Sequence, residues 1–317
     1  MLNSERLLTD QNMRFVSDED IFSCYMMKNE SGNGNSRLFE VYPGIWIMFN
    51  DFSMEKCTSR NFGDEHIISI DHCLKGRIEW QACGNSYMYL ASGDIMLDSM
   101  YGKSRQYSFP LEHYQGLTIT ISVTKANEKI GDLLKMFSID LEQIEEHFSL
   151  CEAPFVMHGA FMLDHIISEL YNLPENIKIE YLKVKILEFL IQLKNTTPSE
   201  IREKCSYFYK TQIDKVKSIR KYMTENPERR YTMEELSESF DISVSALKRC
   251  FKGVYGTAIY TYMRNYRMDM AASMLIDTDE SITSIAGKVG YINISKFSEA
   301  FKSVKGKTPV EYRKVMV

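Results

Sequence analysis

The spacing of hydrophobic positions divides this chain of 317 residues into a strand-rich part and a helical part. From about residue 38 to 124, apolar and polar residues alternate in short runs, of which Leu117-Thr-Ile-Thr-Ile-Ser-Val123 is the clearest. Alternation places successive side chains on opposite faces of a strand. Turn-forming pairs such as Lys75-Gly76 and Gly84-Asn85 separate these runs. Many short strands at this spacing predict a β-barrel or a β-sandwich.

Polar residues precede the strands, and helical spacing follows them. Residues 1–35 are polar, and the run Glu30-Ser-Gly-Asn-Gly-Asn-Ser36 at their end predicts a flexible loop. From about residue 126 apolar residues recur every three or four positions, and they predict a long helix over residues 179–193. Its apolar stripe suits packing on the barrel and a dimer seam equally well, because two heptads do not distinguish them. Asn195-Thr-Thr-Pro-Ser-Glu200 then predicts a linker.

Helix-capping residues divide the last third of the chain into short helices. Thr211 can cap the first of them. Thr232 begins the next, with Glu235 three residues later as the second half of a capping box. Ser243 can begin a third helix after the turn that Asp241 opens. These positions predict a short helix, a tight turn and a second helix.

The same arrangement returns after fifty residues. Residues 242–256 match residues 292–306 in register, with Ile, Ser, Phe, Lys, Val and Gly at the same relative positions. Each copy follows a short amphipathic helix and a turn, which is the sequence pattern of a helix-turn-helix. In the second copy Ser281 and Asn293 can cap the two helices. We therefore predict two helix-turn-helix units, at about residues 232–253 and 281–303, that grip two successive turns of DNA.

A continuous helix is predicted between the two units. Residues 258–276 contain neither Pro nor Gly, and at 1.5 Å per residue they span about 28 Å. DNA repeats every ~34 Å along one face, so a rod of this length suits two recognition helices over adjacent segments of the major groove. Arg264 and Arg267 lie on it and can pair with acids or approach phosphates. Helical repeats that bind protein are the competing interpretation, but the turns, the caps and the basic faces favour DNA.

The outward face of each second helix carries the candidate DNA contacts. A polar and basic face that starts at a helix N-terminus is the side that enters a major groove. Arg249 and Lys248 have donors that can read guanine, whereas Glu299 can accept from cytosine or pair with a neighbouring Lys. The candidate residues are Val244, Ser245, Lys248, Arg249 and Lys252 in the first unit and Asn293, Ser295, Lys296, Glu299 and Lys302 in the second.

Charge is distributed unevenly along the chain, although its formal net charge is only −5. Residues 207–317 hold 19 Lys and Arg against 13 Asp and Glu, whereas residues 1–206 hold 19 against 30. A basic C-terminal third is suited to contact with phosphates. The N-terminus lacks a signal-peptide pattern, no apolar run is long enough to span a bilayer, and the seven scattered cysteines lack C-x-x-C spacing. We therefore expect a cytoplasmic protein with free thiols and no membrane contact.

The sequence lacks the motifs of common catalytic and metal sites. A metal-binding barrel needs a His-x-His pair, which His66, His72 and His113 do not form. No Gly-rich phosphate loop, Gly-x-Ser-x-Gly turn or His-Glu-x-x-His motif is present. We therefore predict no enzymatic activity, no metal and no cofactor. The barrel is expected to hold a ligand pocket, and its candidate lining residues are Trp46, Phe49, His72, Trp80, Tyr87 and Tyr89.

In the region of the two predicted helix-turn-helix units, the chain resembles the AraC/XylS family of bacterial transcription regulators. The family pattern Ile-x-x-Ile-Ala-x-x-Val-Gly-Phe stands here as Ile282-Thr-Ser-Ile-Ala-Gly-Lys-Val-Gly-Tyr291. The pattern that follows it, Phe-x-x-x-Phe-Lys-x-x-x-Gly-x-(Ser/Thr)-Pro, stands as Phe297-Ser-Glu-Ala-Phe-Lys-Ser-Val-Lys-Gly-Lys-Thr-Pro309. The resemblance covers about residues 211–315. More loosely, Tyr89-Leu-Ala-Ser-Gly-Asp-Ile-Met-Leu97 is similar to a turn and strand of the family's cupin-like sensor domain.

The resemblance implies an α+β protein with several domains. These would be a cupin-like ligand-sensing β-barrel with flanking helices at residues 1–125, a helical dimerisation and linker region at 126–205, and an all-α DNA-binding domain at 206–317. It also implies a homodimer whose partners are promoter DNA, RNA polymerase and a small-molecule effector. The hypothesis is a transcriptional activator controlled through the barrel. Two alternatives stay open: a ligand-independent or partner-controlled regulator with a vestigial barrel, and a cupin enzyme tethered to DNA.

Overall fold

The computed structural model describes residues 13–19, 21–58, 65–82, 84–100, 105–159, 161–172, 179–198 and 208–316. The chain divides into two compact units, of which the first comprises Met1–Gly84 and Met88–Tyr207 and the second comprises Asn85–Tyr87 and Phe208–Val317. The expected helical region at residues 126–205 falls within the first unit. Residues 1–12 of the predicted N-terminal loop, Glu200 of the predicted linker, and Cys83 and Cys205 lie outside the described residues.

Antiparallel strand pairs form the framework of the first unit. Its strands are β1 (Met13–Asp18), β2 (Ser23–Asn29), β3 (Gly32–Tyr42), β4 (Ile45–Met54), β5 (Lys56–Thr58), β6 (Ile67–Ala82), β7 (Ser86–Ala91), β8 (Ile95–Met100), β9 (Gln106–Ser108), β10 (Tyr114–Ser122) and β11 (Phe155–Met157). They follow the order β1-β2-β3-β4-β10-β6-β7, while β8 pairs with β6 and β11, and β9 pairs with β5 and β6. As the alternation predicts, Leu117, Ile119 and Ile121 share one buried face of β10.

The glycine-rich segment near residue 33 is part of a hairpin and not the flexible loop that its composition predicts. Strand β2 pairs with β3 from Ser23 opposite Leu38 to Asn29 opposite Gly32. A Cβ on Gly34 would lie 2.2 Å from the Phe52 ring on the next strand, β4. Glycine is therefore needed here, because only a residue without a side chain allows such a close approach between strands.

In the described part of the first unit, four helices accompany the sheet. They are α1 (Val123–Met136), α2 (Leu141–His147), α3 (Phe161–Tyr171) and α4 (Ile179–Asn195). The apolar stripe predicted for residues 179–193 lies on α4, where Leu182, Ile186, Phe189, Leu190 and Leu193 are buried. They belong to the same core cluster as the β10 residues. Because a side chain buried within one chain is not available to a second copy, packing on the sheet is the correct alternative for this stripe.

The second unit is almost entirely helical. Its helices are α5 (Lys210–Glu225), α6 (Met233–Ser239), α7 (Val244–Tyr255), α8 (Ile259–Asp277), α9 (Ile282–Lys288), α10 (Ile294–Lys305) and α11 (Pro309–Met316). A two-residue strand, β12 (Phe208–Tyr209), precedes them, so the prediction of an all-α domain needs this small correction. The predicted continuous helix is α8, with 19 residues.

Most of the predicted helix caps are present. The side chains of Thr232, Ser243, Ser281 and Asn293 each accept a hydrogen bond from the backbone N–H three residues later. Each bond satisfies a donor at a helix start that would otherwise lack a partner. The prediction for Thr211 is wrong, because α5 begins at Lys210 and its N-cap is Tyr209. The capping box at Thr232 is also incomplete, since the Glu235 carboxylate binds Arg229 instead of returning to the cap.

The recurring glycines of the two copies end the helices α7 and α10. Gly256 and Gly306 are their C-caps, with φ values of 75° and 76°. In each case the glycine N–H donates to the carbonyl oxygen four residues earlier, at Lys252 and Lys302. Glycine reaches this left-handed conformation without steric cost, which explains why it recurs at this position.

We expect Gly290→Ala to destabilise the second unit by about 1–3 kcal/mol, because two costs act together. Gly290 has a φ of 81°, and a Cβ there would lie 2.6 Å from the backbone oxygen of Glu228. Gly287 is the matched control, since nothing lies within 4 Å of its added Cβ and alanine in a helix stabilises by about 0.4–1 kcal/mol. Thermal unfolding followed by circular dichroism should shift in opposite directions for the two variants. A higher unfolding temperature for Gly290→Ala would contradict the turn geometry.

Candidate nucleic-acid interface

Helix α7 presents the first candidate surface. The Oγ of Ser243 caps the helix by accepting a hydrogen bond from the Ala246 N–H at 3.3 Å. On the inward side Leu247 and Phe251 are fully buried, which fixes the rotation of the helix about its axis. The opposite face lies in solvent. The predicted contacts Ser245, Lys248, Arg249 and Lys252 are exposed on it, whereas Val244 is half-buried.

Helix α10 presents the second surface in the same way. Its cap, Asn293, accepts a hydrogen bond from the Lys296 N–H at 3.0 Å. Phe297 and Phe301 are fully buried on the inward side, where their ring centroids lie 5.8 Å apart. The predicted contacts Asn293, Ser295, Lys296, Glu299 and Lys302 are all exposed.

The basic side chains on these two faces form no ion pair with any other described residue. They are Lys248, Arg249, Lys252, Lys296 and Lys302. Other lysines of the second unit differ, since Lys288 and Lys305 each lie 2.5 Å from a carboxylate oxygen, on Glu280 and Asp269. Glu299 also lacks an ion pair within the described part of the chain, so it does not pair with a neighbouring Lys. Charges without partners are available to phosphates and to base edges.

The two copies differ at the turn before the second helix. Ile242 is buried in the first copy, whereas Ile292, its match in register, is fully exposed. The aromatic ring of Tyr291 packs on Phe297, 5.7 Å away, and takes the inward position instead. The second turn has one more residue than the first, and this extra residue moves Ile292 outward. An apolar side chain therefore stands beside the candidate contacts of α10, which sequence matching alone does not indicate.

A groove beside the start of α10 brings Arg230 and Arg264 next to the candidate contacts of that helix. Its volume is about 600 Å³, and its lining includes Arg230, Tyr260, Arg264, Asn293 and Lys296. Arg230 and Tyr260 are exposed. The Nε of Arg264 is buried and has no hydrogen-bond partner among the described residues. Arg264 was predicted to approach phosphates or meet acids, whereas Arg230 and Tyr260 reach α10 only through tertiary packing, so no local motif identifies them.

Arg267, the second arginine of α8 that was expected to meet acids or phosphates, has a structural position. Its Nε donates to the Pro227 carbonyl oxygen at 2.6 Å, and its Nη2 donates to the Arg229 carbonyl oxygen at 2.7 Å. Burial lowers the pKa of Arg267. The guanidinium thus fixes the segment that leads into α6 and binds carbonyls, not an acid.

The six candidate pocket residues of the first part of the chain do not converge on one site. His72 lies under Tyr171, with Nδ1 3.0 Å from the tyrosine hydroxyl, and burial lowers its pKa to about 4, so it is neutral near pH 7. Phe49 packs on the same tyrosine at 5.8 Å. The Tyr89 hydroxyl donates to Glu79 at 2.5 Å. Trp46 and Trp80 are buried in the core, and Tyr87 is half-buried.

A cavity of about 140 Å³ does lie in the first unit, but none of these six residues lines it. Its lining from the central strands includes Met48 and Asn50 of β4, Asp71 of β6 and Thr118 of β10. Since successive residues of a strand face opposite sides, Phe49 and His72 point away from it. The central strands were predicted, but β1, β2 and the start of β3 were not, and β6 continues through the predicted turn at Lys75-Gly76.

Three further observations limit the chemistry of the described residues. Within these ranges no group of three or more His, Cys, Asp and Glu side chains is placed to hold a metal ion. Cys24, Cys57, Cys73, Cys151 and Cys250 are free thiols. No helix in the described part of the chain has the length and apolar character required to cross a membrane.

Comparison with protein families finds a match in the second unit. The family model "Helix-turn-helix domain" matches residues 236–315. A putative AraC-like transcription regulator from Streptomyces lividans is 36% identical over 89 residues, which are 28% of this chain and 29% of that protein. The transcriptional activator RhaR from Mannheimia succiniciproducens is 29% identical over 101 residues, 32% of this chain and 37% of that protein. Both relatives are named as transcription regulators and not as enzymes.

A solved structure is similar to about the same share of this chain. The C-terminal domain of AraT, a response regulator from Geobacillus stearothermophilus, is 31% identical and covers 32% of this chain and 84% of that chain, with a TM-score of 0.31. The first three curated relatives are matched over only 22% to 37% of their own lengths. The family model thus places a helix-turn-helix domain at residues 236–315, and this chain spans less than two fifths of the length of each of these three curated relatives.

Proposed function

We propose that this chain is a transcription regulator of the AraC family and that its second unit binds promoter DNA through two helix-turn-helix units, α6–α7 and α9–α10. The observation that carries the proposal is the pair of capped helices whose exposed faces hold five basic side chains that form no ion pair with another described residue. Helices α7 and α10 are the proposed recognition helices. Helix α8 joins the units over a length of about 28 Å, close to the ~34 Å repeat of the double helix.

Base contacts are assigned to the ends of both helices that lie nearest their caps. In α7, Lys248 and Arg249 have the donors that match the two acceptors of guanine in the major groove. In α10, the unpaired Glu299 can accept from the amino group of cytosine. Ile292 would meet a thymine methyl group, because an exposed apolar side chain beside a recognition helix suits that contact.

Phosphate contacts are assigned to the groove beside α10. Arg230 is exposed there, and Arg264 has a buried Nε without a partner among the described residues. A phosphate oxygen would satisfy this donor, and contact with the backbone fixes orientation without reading sequence. The same groove includes Lys296, so the backbone and base contacts of the second unit would be continuous.

A selection experiment tests the proposal directly. The full-length chain is incubated with a pool of random DNA duplexes, and the bound fraction is amplified and sequenced over several rounds. We expect enrichment of a bipartite motif whose two halves are centred about 10–10.5 base pairs apart. Enrichment of no motif, at any salt concentration that permits binding, would refute sequence-specific recognition.

We expect Arg249→Ala to relax the selected motif at one position. Loss of a bidentate contact with guanine costs about 1–3 kcal/mol of discrimination at that base pair, and other positions should keep their preferences. The measurement is a competition assay with single-base variants of the selected duplex. Lys305→Ala is the control, since Lys305 lies on α10 but pairs with Asp269. If Arg249→Ala binds every variant like wild type, α7 is placed in the wrong register on the DNA.

We also propose that the first unit controls DNA binding through a small-molecule effector held in the 140 Å³ cavity. A mostly apolar cavity with a few convergent polar groups is the usual form of such a site, and it favours a ligand-sensing unit over a vestigial one. The effector would act by binding more tightly to the protein in one arrangement of its two units than in another. On family grounds the outcome is activation by a homodimer that meets RNA polymerase in the cytoplasm.

A further inference from the structure

The cavity of the first unit has an apolar part of adaptable shape. Four methionines contribute to its lining: Met13, Met27, Met48 and Met100. Methionine side chains are flexible and polarisable, so a methionine-rich wall adjusts to ligands of differing outline. The volume of about 140 Å³ is near the ~150 Å³ of an engineered apolar cavity that admits benzene. The cavity is therefore suited to a ligand of about one six-membered ring and a short substituent.

Aromatic rings form a second part of the wall. Phe109 and Tyr114 are stacked with their centroids 5.3 Å apart, and Phe52 lies 5.9 Å from Phe109. The faces of such rings carry partial negative charge, so they attract cations as well as apolar groups. These aromatic rings and the methionines together form an environment that can accept a cationic group, provided that an anionic group lies nearby.

A buried carboxylate provides this anion. Asp71 of β6 is 9% exposed and lies at the cavity wall. Its two oxygens accept hydrogen bonds from Thr118 Oγ1 at 2.7 Å and from Ser69 Oγ at 3.1 Å. The Thr118 oxygen in turn accepts from Asn50 Nδ2 at 3.3 Å. Both hydroxyl protons beside Asp71 are thus committed to it, and the carboxylate keeps acceptor capacity for a ligand that donates.

The charge of Asp71 lacks a dedicated cation within the described residues. Arg105 is the nearest basic side chain to act on it, but Arg105 pairs with Asp98 of the neighbouring strand β8. Burial is the largest effect on Asp71 and raises its pKa, while the two hydroxyl bonds and Arg105 lower it. Two carboxyl groups therefore share one guanidinium. A ligand cation would restore the balance of charge in a region where an unpaired ion is costly.

We propose that this cavity binds a small apolar amine, whose ammonium group donates to the Asp71 carboxylate while its hydrocarbon part contacts the methionine and aromatic wall. This inference rests on the proposed effector-sensing function and names the chemical class of the effector. Because both neighbouring hydroxyl groups already donate to Asp71, the site favours a ligand group that donates a hydrogen bond over one that accepts it. The cavity size selects for a single ring or an alkyl chain of similar volume.

Benzylamine and benzyl alcohol test the proposal on the unaltered full-length chain. They have the same shape and about eight non-hydrogen atoms each, so only charge and donor strength separate them. Calorimetric titration at neutral pH should give saturable binding of benzylamine, weaker by roughly 10- to 100-fold for benzyl alcohol, because hydrogen bonds to charged groups are the stronger ones. Equal binding of both, or no saturable binding of benzylamine, would overturn the proposed ligand class.

Two variants connect this preference to Asp71. Asp71→Asn should abolish the preference for the amine, whereas Asp51→Asn, which removes an exposed carboxylate from β4, should leave it unchanged. Circular dichroism establishes whether Asp71→Asn folds, and the comparison of two probes on wild type remains decisive if it does not. An Asp71→Asn chain that still prefers benzylamine would overturn the assignment. Since DNA selection needs no amine, its success alongside a failed titration would refute only this inference.

Discussion

Replacing Lys248 and Arg249 together by glutamate should weaken binding of the full-length chain to its selected duplex by roughly 100-fold or more. Each side chain is exposed on α7 and forms no ion pair with another described residue, so both charges are available to DNA. Loss of two base or phosphate contacts costs about 1–3 kcal/mol each, and the new carboxylates add repulsion from the phosphates. The loss should diminish as salt is raised, because screening weakens both effects.

If only the net charge of the chain mattered, the same charge change elsewhere would weaken DNA binding equally. A matched variant tests this alternative. Lys129 and Lys135 are exposed on α1 in the first unit, and changing both to glutamate alters the total charge by the same amount. We expect this control to bind the duplex nearly as wild type does in a gel-shift titration. Equal losses in the two double variants would mean that the α7 face has no special role.

The second large effect is expected for Phe301→Ala in the core of the second unit. Phe301 is fully buried, and its ring contacts Phe297 and Tyr312 with centroids 5.8 and 5.4 Å away. Truncation of a buried phenylalanine costs about 3–5 kcal/mol, since it removes burial and leaves a cavity. Because Phe301 fixes the inward face of α10, the variant should also lose the contacts that this helix makes with DNA.

Hydrogen exchange on the full-length chain measures this loss locally, which avoids treating two units as one unfolding transition. Amides of α8, α9 and α10 should exchange roughly 100-fold faster or more in Phe301→Ala, whereas those of the first unit should be unaffected. Ile292→Ala is the control, because Ile292 is fully exposed and surface substitutions usually change stability by less than about 0.5 kcal/mol. Unchanged protection of α10 in Phe301→Ala would contradict the packing.

The helices of the second unit could be predicted because their signals are local. A cap bonds to an N–H three residues away, and an apolar stripe recurs within one or two turns, so both lie within a short window of sequence. Ser243, Ser281 and Asn293 are caps as expected. Where a neighbour distant in sequence competes for the same group, the local signal fails, as at Glu235, whose carboxylate binds Arg229.

The exposed faces of α7 and α10 were also predictable, because nine of the ten candidate DNA contacts follow directly from which side each helix buries. The exposed Ile292 and the groove residue Arg230 were not, and for Arg264 only the choice between acids and phosphates was left open. Their positions depend on the length of one turn and on the packing of α8 beside α10, and neither property is expressed by periodicity. Recognition of bases by the candidate contacts stays a prediction.

In the first unit, contacts between residues far apart in sequence decide more of the site than local patterns do. Alternation predicts strands and their two faces, but it does not say which face closes around a cavity. Phe49 and His72 were chosen as aromatic and polar pocket residues, yet Met48 and Asp71, one position away on each strand, line the cavity. A shift of one residue along a strand exchanges the two sides of the sheet, so the identity of the pocket depends on how strands pair.

By itself, the sequence determined the helices of the second unit, their caps, the glycines that end them and the basic faces they present. These features arise from contacts between residues close together along the chain. Only the tertiary structure decided that the stripe of α4 is buried within its own chain, that Gly34 permits close approach to Phe52, and that Asp71 stands in a cavity. The physical reason is that burial and close approach are set by segments far apart in sequence, and the chain reveals them only when it has folded.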